Sequence, residues 1–194
     1  MKKLLFTLLF LTFGTAWGDA YRDGKNAFDH HDYKTALKIW RPLADKGNVR
    51  AQLTLADMYD KGQGVLQDYK EALKWYRLAA EQGDALAQLN LGYMHRRGRG
   101  VAQDDKEAVR LYRLAAEQEC APAQYFIGGM YEGGHGVTQD FIRAHMWFNL
   151  ASVTGDSKYG TTNRDRVAKK MTPQQIEKAQ EMAKTCQASN FKGC

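Results

Sequence analysis

The chain has 194 residues, 44% hydrophobic and 26% charged, with 3 prolines, 3 cysteines and a formal net charge of +6. This composition excludes disordered, collagen-like and disulfide-dense classes. Without Lys2 and Lys3 the basic side chains fall to 26 against 22 acidic ones, about +4, too mild a surplus to point to nucleic acid.

At the start of the chain, Lys2 and Lys3 precede the apolar run Leu4 to Phe13, and Ala16-Trp17-Gly18 sets small residues three and one places before a cut ahead of Asp19. The pattern reads as a secretory signal peptide over residues 1–18. Its apolar run is too short to span a bilayer, which takes about 20 residues. No cysteine follows the cut, so no lipid anchor is expected, and no later segment resembles a membrane span. The expected destination is the periplasm or the medium, with no membrane insertion after cleavage.

Residues 19–47 read as a shortened first repeat, with Phe28, Tyr33, Ala36, Leu37 and Trp40 forming its apolar stripe. A period of 36 residues follows, giving units 48–83, 84–119 and 120–155. The first two of these are identical at 20 of 36 positions without a gap. Ala51, Ala87 and Ala123 correspond, as do Gly64, Gly100 and Gly136, and Asp68, Asp104 and Asp140.

Each unit predicts two antiparallel helices. Ala51, Leu55, Met58 and Tyr59 make one apolar stripe of the first helix, which Gly62 and Gly64 end. Asp68 caps the second helix, and Glu71 three places on completes a capping-box-like pair that Asp104 and Glu107 repeat. The second helix is expected to bury Tyr69, Ala72, Leu73, Tyr76, Ala79 and Ala80. After Gly155 the register is lost; residues 156–194 read as a helical cap. One helix is expected from Asn163 to Met171, and another opens at Thr172-Pro173-Gln174-Gln175 with Ile176, Ala179, Met182 and Ala183 inward.

The motif Ala51-x-x-x-Leu55-Ala56-x-x-Tyr59-x-x-Gly62-x-Gly64-Val65-x-x-Asp68-x-x-x-Ala72-x-x-Trp75-x-x-x-Ala79-Ala80-x-x-Gly83 resembles the Sel1-like repeat, a relative of the tetratricopeptide repeat. The ending, with Met171-Thr172-Pro173 and Cys186 to Cys194, is similar to tails of short exported bacterial members. The resemblance implies an all-α fold, an α/α superhelical solenoid of helix pairs with a helical C-terminal cap. The departures are Gly92, His95, Leu111 and Glu119 in the second unit. One cysteine-rich branch of that family is linked to penicillin binding and weak β-lactam hydrolysis, but its paired cysteines within each repeat have no counterpart here. A β-lactam- or cell-wall-acting hydrolase is therefore the least favoured reading.

Residues that return in every unit answer needs every unit has, such as caps, turns and packing. Tyr76, Tyr112 and Phe148 are therefore assigned to the core. The five histidines show no metal-ligand spacing. His145 takes an inward place and is read as a buried, satisfied imidazole; His135 takes an exposed loop place. Ser189 and Lys192 form an isolated S-x-x-K spacing without partner motifs. No catalytic residue, metal or cofactor is expected. Cys186 and Cys194 are expected to form a disulfide closing the tail, leaving Cys120, at a helix entry, as a partly buried free thiol.

Function is sought where the units differ. The variable places on the first helices form a stripe of Thr54, Asp57 and Lys61; Asn90, Tyr93 and Arg97; and Phe126, Gly129 and Gly133. By analogy with tetratricopeptide superhelices this stripe lines a concave groove. Thr54, Asp57, Asn90, Tyr93, Arg96, Arg97 and Phe126 are the partner-binding candidates, with Tyr93 and Phe126 as anchors and Arg96, Arg97 and Arg99 attracting acidic groups. The resulting expectation is a monomeric, non-enzymatic adaptor or regulator holding a protein or peptide segment, or alternatively a secreted factor that binds a host protein.

Overall fold

The structure, a computed structural model, describes residues 18–155 and 157–194. The expected signal peptide, apart from Gly18, lies outside the described residues. Among these residues every regular element is a helix, and they divide into two compact units, one ending at Gln82 and one running from Gly83 to Cys194.

The first unit holds α1 (18–29), α2 (Tyr33–Asp45), α3 (Val49–Lys61) and α4 (Tyr69–Glu81). Short polar side chains start its helices by accepting from otherwise unbonded first-turn amides. Asp32 accepts from the Thr35 amide, Asn48 from Ala51, and Asp68 from both Lys70 and Glu71. The return half of the expected capping box is missing, because the Glu71 carboxylate faces Lys74 at 3.8 Å. Gly62 ends α3 in the left-handed conformation. Gly64, at φ +75°, is fixed more tightly, since a Cβ there would lie 2.3 Å from Tyr33 Cβ.

Trp40, Leu55, Met58, Trp75 and Tyr76 fill the centre of this unit, with small Ala36, Ala51, Ala56, Ala72 and Ala79 where helices approach closely. Trp75 joins the expected α4 face as a buried ring, whereas Tyr69 and Ala80 are only half-buried. Gln52 is also buried. Its amide donates to Ala44 O (3.1 Å) and its carbonyl accepts from Gln82 (2.8 Å), which satisfies both ends of the side chain.

The second unit holds α5 (Ala85–Arg97), α6 (Asp105–Ala116), α7 (Ala121–Gly133), α8 (Phe141–Thr154), α9 (Ser157–Ala168) and α10 (Pro173–Ala188). Asp84, Asp104 and Asp140 cap α5, α6 and α8, and Glu107 bonds Arg110 in place of a return bond to the cap. Cys120 occupies the cap position of α7 without a side-chain bond. The buried-glutamine arrangement recurs: Gln118 donates to Gln88 (2.9 Å), Gln124 donates to Ala116 O (3.2 Å), and Thr154 donates to Gln124 (2.6 Å). Tyr112, Ile127, Met130, Trp147 and Phe148 form the core.

Glu119 holds φ +60° at the repeat position where Gly47 and Gly83 stand elsewhere. A side chain there crowds its own backbone at a cost of about 1–2 kcal/mol, partly offset by glycine's larger loss of freedom on folding. Glu119→Gly is therefore expected to stabilise by up to about 1 kcal/mol, raising Tm by roughly 2–4 °C in a thermal melt.

Helix α9 begins at Ser157, earlier than the expected Asn163, and ends at Ala168 rather than Met171. Asn163 does not cap it. Its amide donates back to Tyr159 O (2.8 Å) and the Thr162 hydroxyl to Lys158 O (2.8 Å), so both polar side chains are accommodated inside the helix. Gly160 brings α9 against α8, since a Cβ there would sit 2.5 Å from Ser152 N. Thr172 and Gln175 form a reciprocal capping box at the start of α10, whose Ala179, Ala183 and Cys186 are buried; Ile176 and Met182 are half-buried. Cys186 and Cys194 are joined by a disulfide, with Cα atoms 5.6 Å apart.

Candidate functional site

The variable stripe is built on one repeat position and the ring facing it. Asp57, Tyr93 and Gly129 are equivalent, and so are Tyr76, Tyr112 and Phe148. In the first unit the Tyr76 hydroxyl donates to the Asp57 carboxylate, which also pairs with Lys61 at 3.3 Å. Thr54 donates to Arg50 O (2.8 Å), and its hydroxyl lies 3.0 Å from the Tyr21 hydroxyl. Both expected contact residues of this unit are thus held by internal bonds.

In the second unit Tyr93 stands where Asp57 stood, and the facing Tyr112 hydroxyl is buried without a hydrogen-bond partner among the described residues. Burial drives its pKa well above the ordinary tyrosine value, with Arg96 and Arg97 pulling weakly the other way. The two tyrosines should therefore respond oppositely to loss of the hydroxyl. Tyr76→Phe is expected to cost about 1.5–3 kcal/mol by breaking a bond to a charged group, whereas Tyr112→Phe should be neutral or stabilise by about 1 kcal/mol. Urea midpoints of the two variants measure the difference.

The displaced position opens an aromatic shelf. Half-buried Phe126 on α7 stacks on Tyr112 with centroids 5.3 Å apart and planes at 16°, and lies 6.3 Å from Tyr93 on α5. Tyr125 packs edge-on against Phe126 at 5.5 Å and extends to Tyr159 on α9 at 6.4 Å. The guanidinium groups of Arg97 and Arg99 lie 5.5 and 5.2 Å from the Tyr93 centroid. Asn90 is half-buried one turn before Tyr93, and the space where Gly129 would carry a Cβ is open. Tyr93, Arg96, Arg97 and Phe126 therefore share this region; Thr54 and Asp57 belong to the other unit. Tyr125 and Tyr159 extend the face beyond the expected residues. Tyr159, 60% exposed, lies past the point where the repeat register is lost, so no periodic signal marks it.

His145 is buried as expected but is not satisfied, because its Nδ1 has no hydrogen-bond partner among the described residues. Burial, reinforced by nearby Arg164, holds its pKa below the ordinary histidine value. Cys120 is a half-buried free thiol whose pKa burial pushes up. Ser189 of the S-x-x-K spacing directs its hydroxyl to Cys186 O (2.8 Å) and Lys192 O (3.2 Å). Among the described residues no three or more His, Cys, Asp or Glu side chains gather as metal ligands.

Helix pairs repeating every 36 residues, with caps, turns and buried glutamines in the same places, define an α/α solenoid of short helical repeats. The Sel1 repeat model matches residues 49–84, 85–120 and 121–152, and the chain belongs to the Sel1 repeat family. Proteins with these repeats generally act as non-enzymatic scaffolds for protein–protein interaction. Among solved structures, the chain is similar to c5321, a protective antigen of uropathogenic Escherichia coli with an SLR fold. That match has 28% identity and a TM-score of 0.63 and covers 89% of this chain and 46% of the antigen, so the chain spans about half the antigen's length. It is also similar to a Sel1 repeat protein from Oxalobacter formigenes, at 28% identity and a TM-score of 0.68, covering 88% of this chain and 78% of that one. No curated protein matches the chain.

Proposed function

We propose that the protein is an exported adaptor that holds an acidic segment of a partner protein, anchored by an apolar side chain, on the aromatic shelf of the second unit. The observation that carries this reading is the pairing of Tyr93 and Phe126 on successive first helices beneath the guanidinium groups of Arg97 and Arg99. Rigid aromatic rings supply contact area at low entropic cost, and the arginines favour acidic neighbours. Thr54 and Asp57 contribute less, since internal bonds already occupy them. Export is supported by the charged, apolar and small-residue pattern of residues 1–18 and by the Cys186–Cys194 disulfide, which suits an oxidising compartment. Among the described residues no helix is long and apolar enough to cross a membrane.

Because Phe126 also packs on buried Tyr112, removing it mixes stability with binding. Tyr93→Ala combined with Arg97→Glu is the cleaner test. In a pull-down from the periplasmic fraction, capture of the partner should fall at least about tenfold while helicity and melting stay close to wild type. Capture unchanged from wild type removes the shelf as the binding surface.

A further inference from the structure

We propose that a cleft in the C-terminal cap, between α8, α10 and the disulfide-closed tail, binds a small amphiphilic organic anion, a site separate from the aromatic shelf. The cleft is open to solvent and has a volume of about 500 Å³, within the range of small-molecule sites. Its apolar lining is adaptable, with buried Met146 from α8, half-buried Met182 from α10 and the disulfide-bonded Cys186 and Cys194, beside the polar Thr185 and Ser189. Around these lie exposed charges, three cations against one carboxylate: Arg143, Lys178 and Lys192 against Glu181.

The cations are not equivalent. Arg143 is engaged by Asp140 at 2.7 Å and lies over the Tyr131 ring at 5.8 Å, so it is held in place. Lys178, Lys192 and Glu181 make no ion pair among the described residues, so two ammonium groups stand against one carboxylate at this recess. A carboxylate or sulfonate with an aliphatic tail satisfies both features at once, its head at the lysines and its tail on the methionines and the disulfide.

The tail that forms one wall is a fixed turn. Phe191 is buried, its amide donates to Cys186 O (2.9 Å), and Asn190 and Phe191 both hold positive φ values. The disulfide closes this turn back onto α10, so the wall exists before any ligand arrives, which lowers the ordering cost of binding.

Decanoate and decylammonium, which share a chain length and differ in head charge, are the probes. With the full oxidised chain carrying 13C-methyl methionine, decanoate should shift the Met146 and Met182 signals saturably at millimolar concentration, and decylammonium should not. Lys178→Glu with Lys192→Glu should weaken decanoate at least tenfold. Cys186→Ser with Cys194→Ser should weaken it similarly by releasing the wall. Tyr93→Ala should leave it unchanged, which separates this site from the partner-binding reading. Equal shifts from both amphiphiles, no saturable shift with decanoate, or undiminished affinity after the lysine reversal would overturn the proposal. The lysine variants, whose substitutions are exposed, decide the matter if the serine variant fails to fold.

Discussion

Gly136→Ala is expected to destabilise the protein by about 3 kcal/mol or more, a fall in Tm on the order of 10 °C, although it adds only one methyl group to a surface loop. Gly136 holds φ +67°, where a side chain already costs about 1–2 kcal/mol. The larger contribution is steric. A Cβ at this place would lie 2.3 Å from Asp105 O and 2.4 Å from its carbonyl carbon, and this backbone cannot yield without parting the loop from the first turn of α6. Gly134, two residues earlier in the same loop, separates the two effects. It has the same left-handed conformation, φ +69°, but its nearest contact would be an ordinary 3.4 Å, so Gly134→Ala should show the conformational cost alone. Equal losses for the two variants in urea or thermal melts would mean that the loop does not rest on α6 as described. Gly64 makes the corresponding approach in the first unit, to Tyr33, also 31 residues upstream. The glycine at this repeat position is thus a docking point as well as a turn.

Trp147→Ala is expected to cost about 3–5 kcal/mol, because a fully buried indole is replaced by a cavity between packed helices. The indole nitrogen is buried without a hydrogen-bond partner among the described residues, so the loss should come from packing alone. Leu111, 2% exposed, fills the equivalent place one repeat earlier, which shows that a smaller apolar side chain is compatible with the helix pair. Trp147→Leu should therefore recover a large part of the loss. Chemical denaturation of both variants tests this, and a loss below about 1 kcal/mol for the alanine variant would contradict the burial described.

Helix pairing, caps and turn glycines were legible because they recur with the 36-residue period: Asp68, Asp104 and Asp140 all cap as expected, and Gly62, Gly98 and Gly134 all end a helix in the left-handed conformation. Details that depend on a third side chain were not. Glu71 and Glu107 do not return to their caps; each carboxylate faces a cation one turn on, Lys74 at 3.8 Å and Arg110 at 2.7 Å. Gln52, Gln88 and Gln124 recur just as faithfully, but their burial is hidden in the sequence because a glutamine pattern looks the same on a wet face as in a satisfied core. The exchange of Asp57 for Tyr93 and then Gly129, matched by Tyr76, Tyr112 and Phe148, is visible once the facing rings are known. It accounts for the aromatic shelf lying in the second unit. Tyr159 stayed invisible because α9 lies outside the repeat and begins before the place its polar residues suggested.

Photocrosslinking from the shelf tests whether a partner segment lies there. Gly129 offers open space on α7 for a benzoylphenylalanine side chain, and exposed Gln174 on α10 provides a control position away from the shelf. A discrete adduct is expected from position 129 in cells, weakened by Tyr93→Ala with Arg97→Glu, and none from position 174. Adducts of equal yield from both positions, or an adduct at 129 indifferent to the double substitution, would mean that the partner does not lie on the shelf.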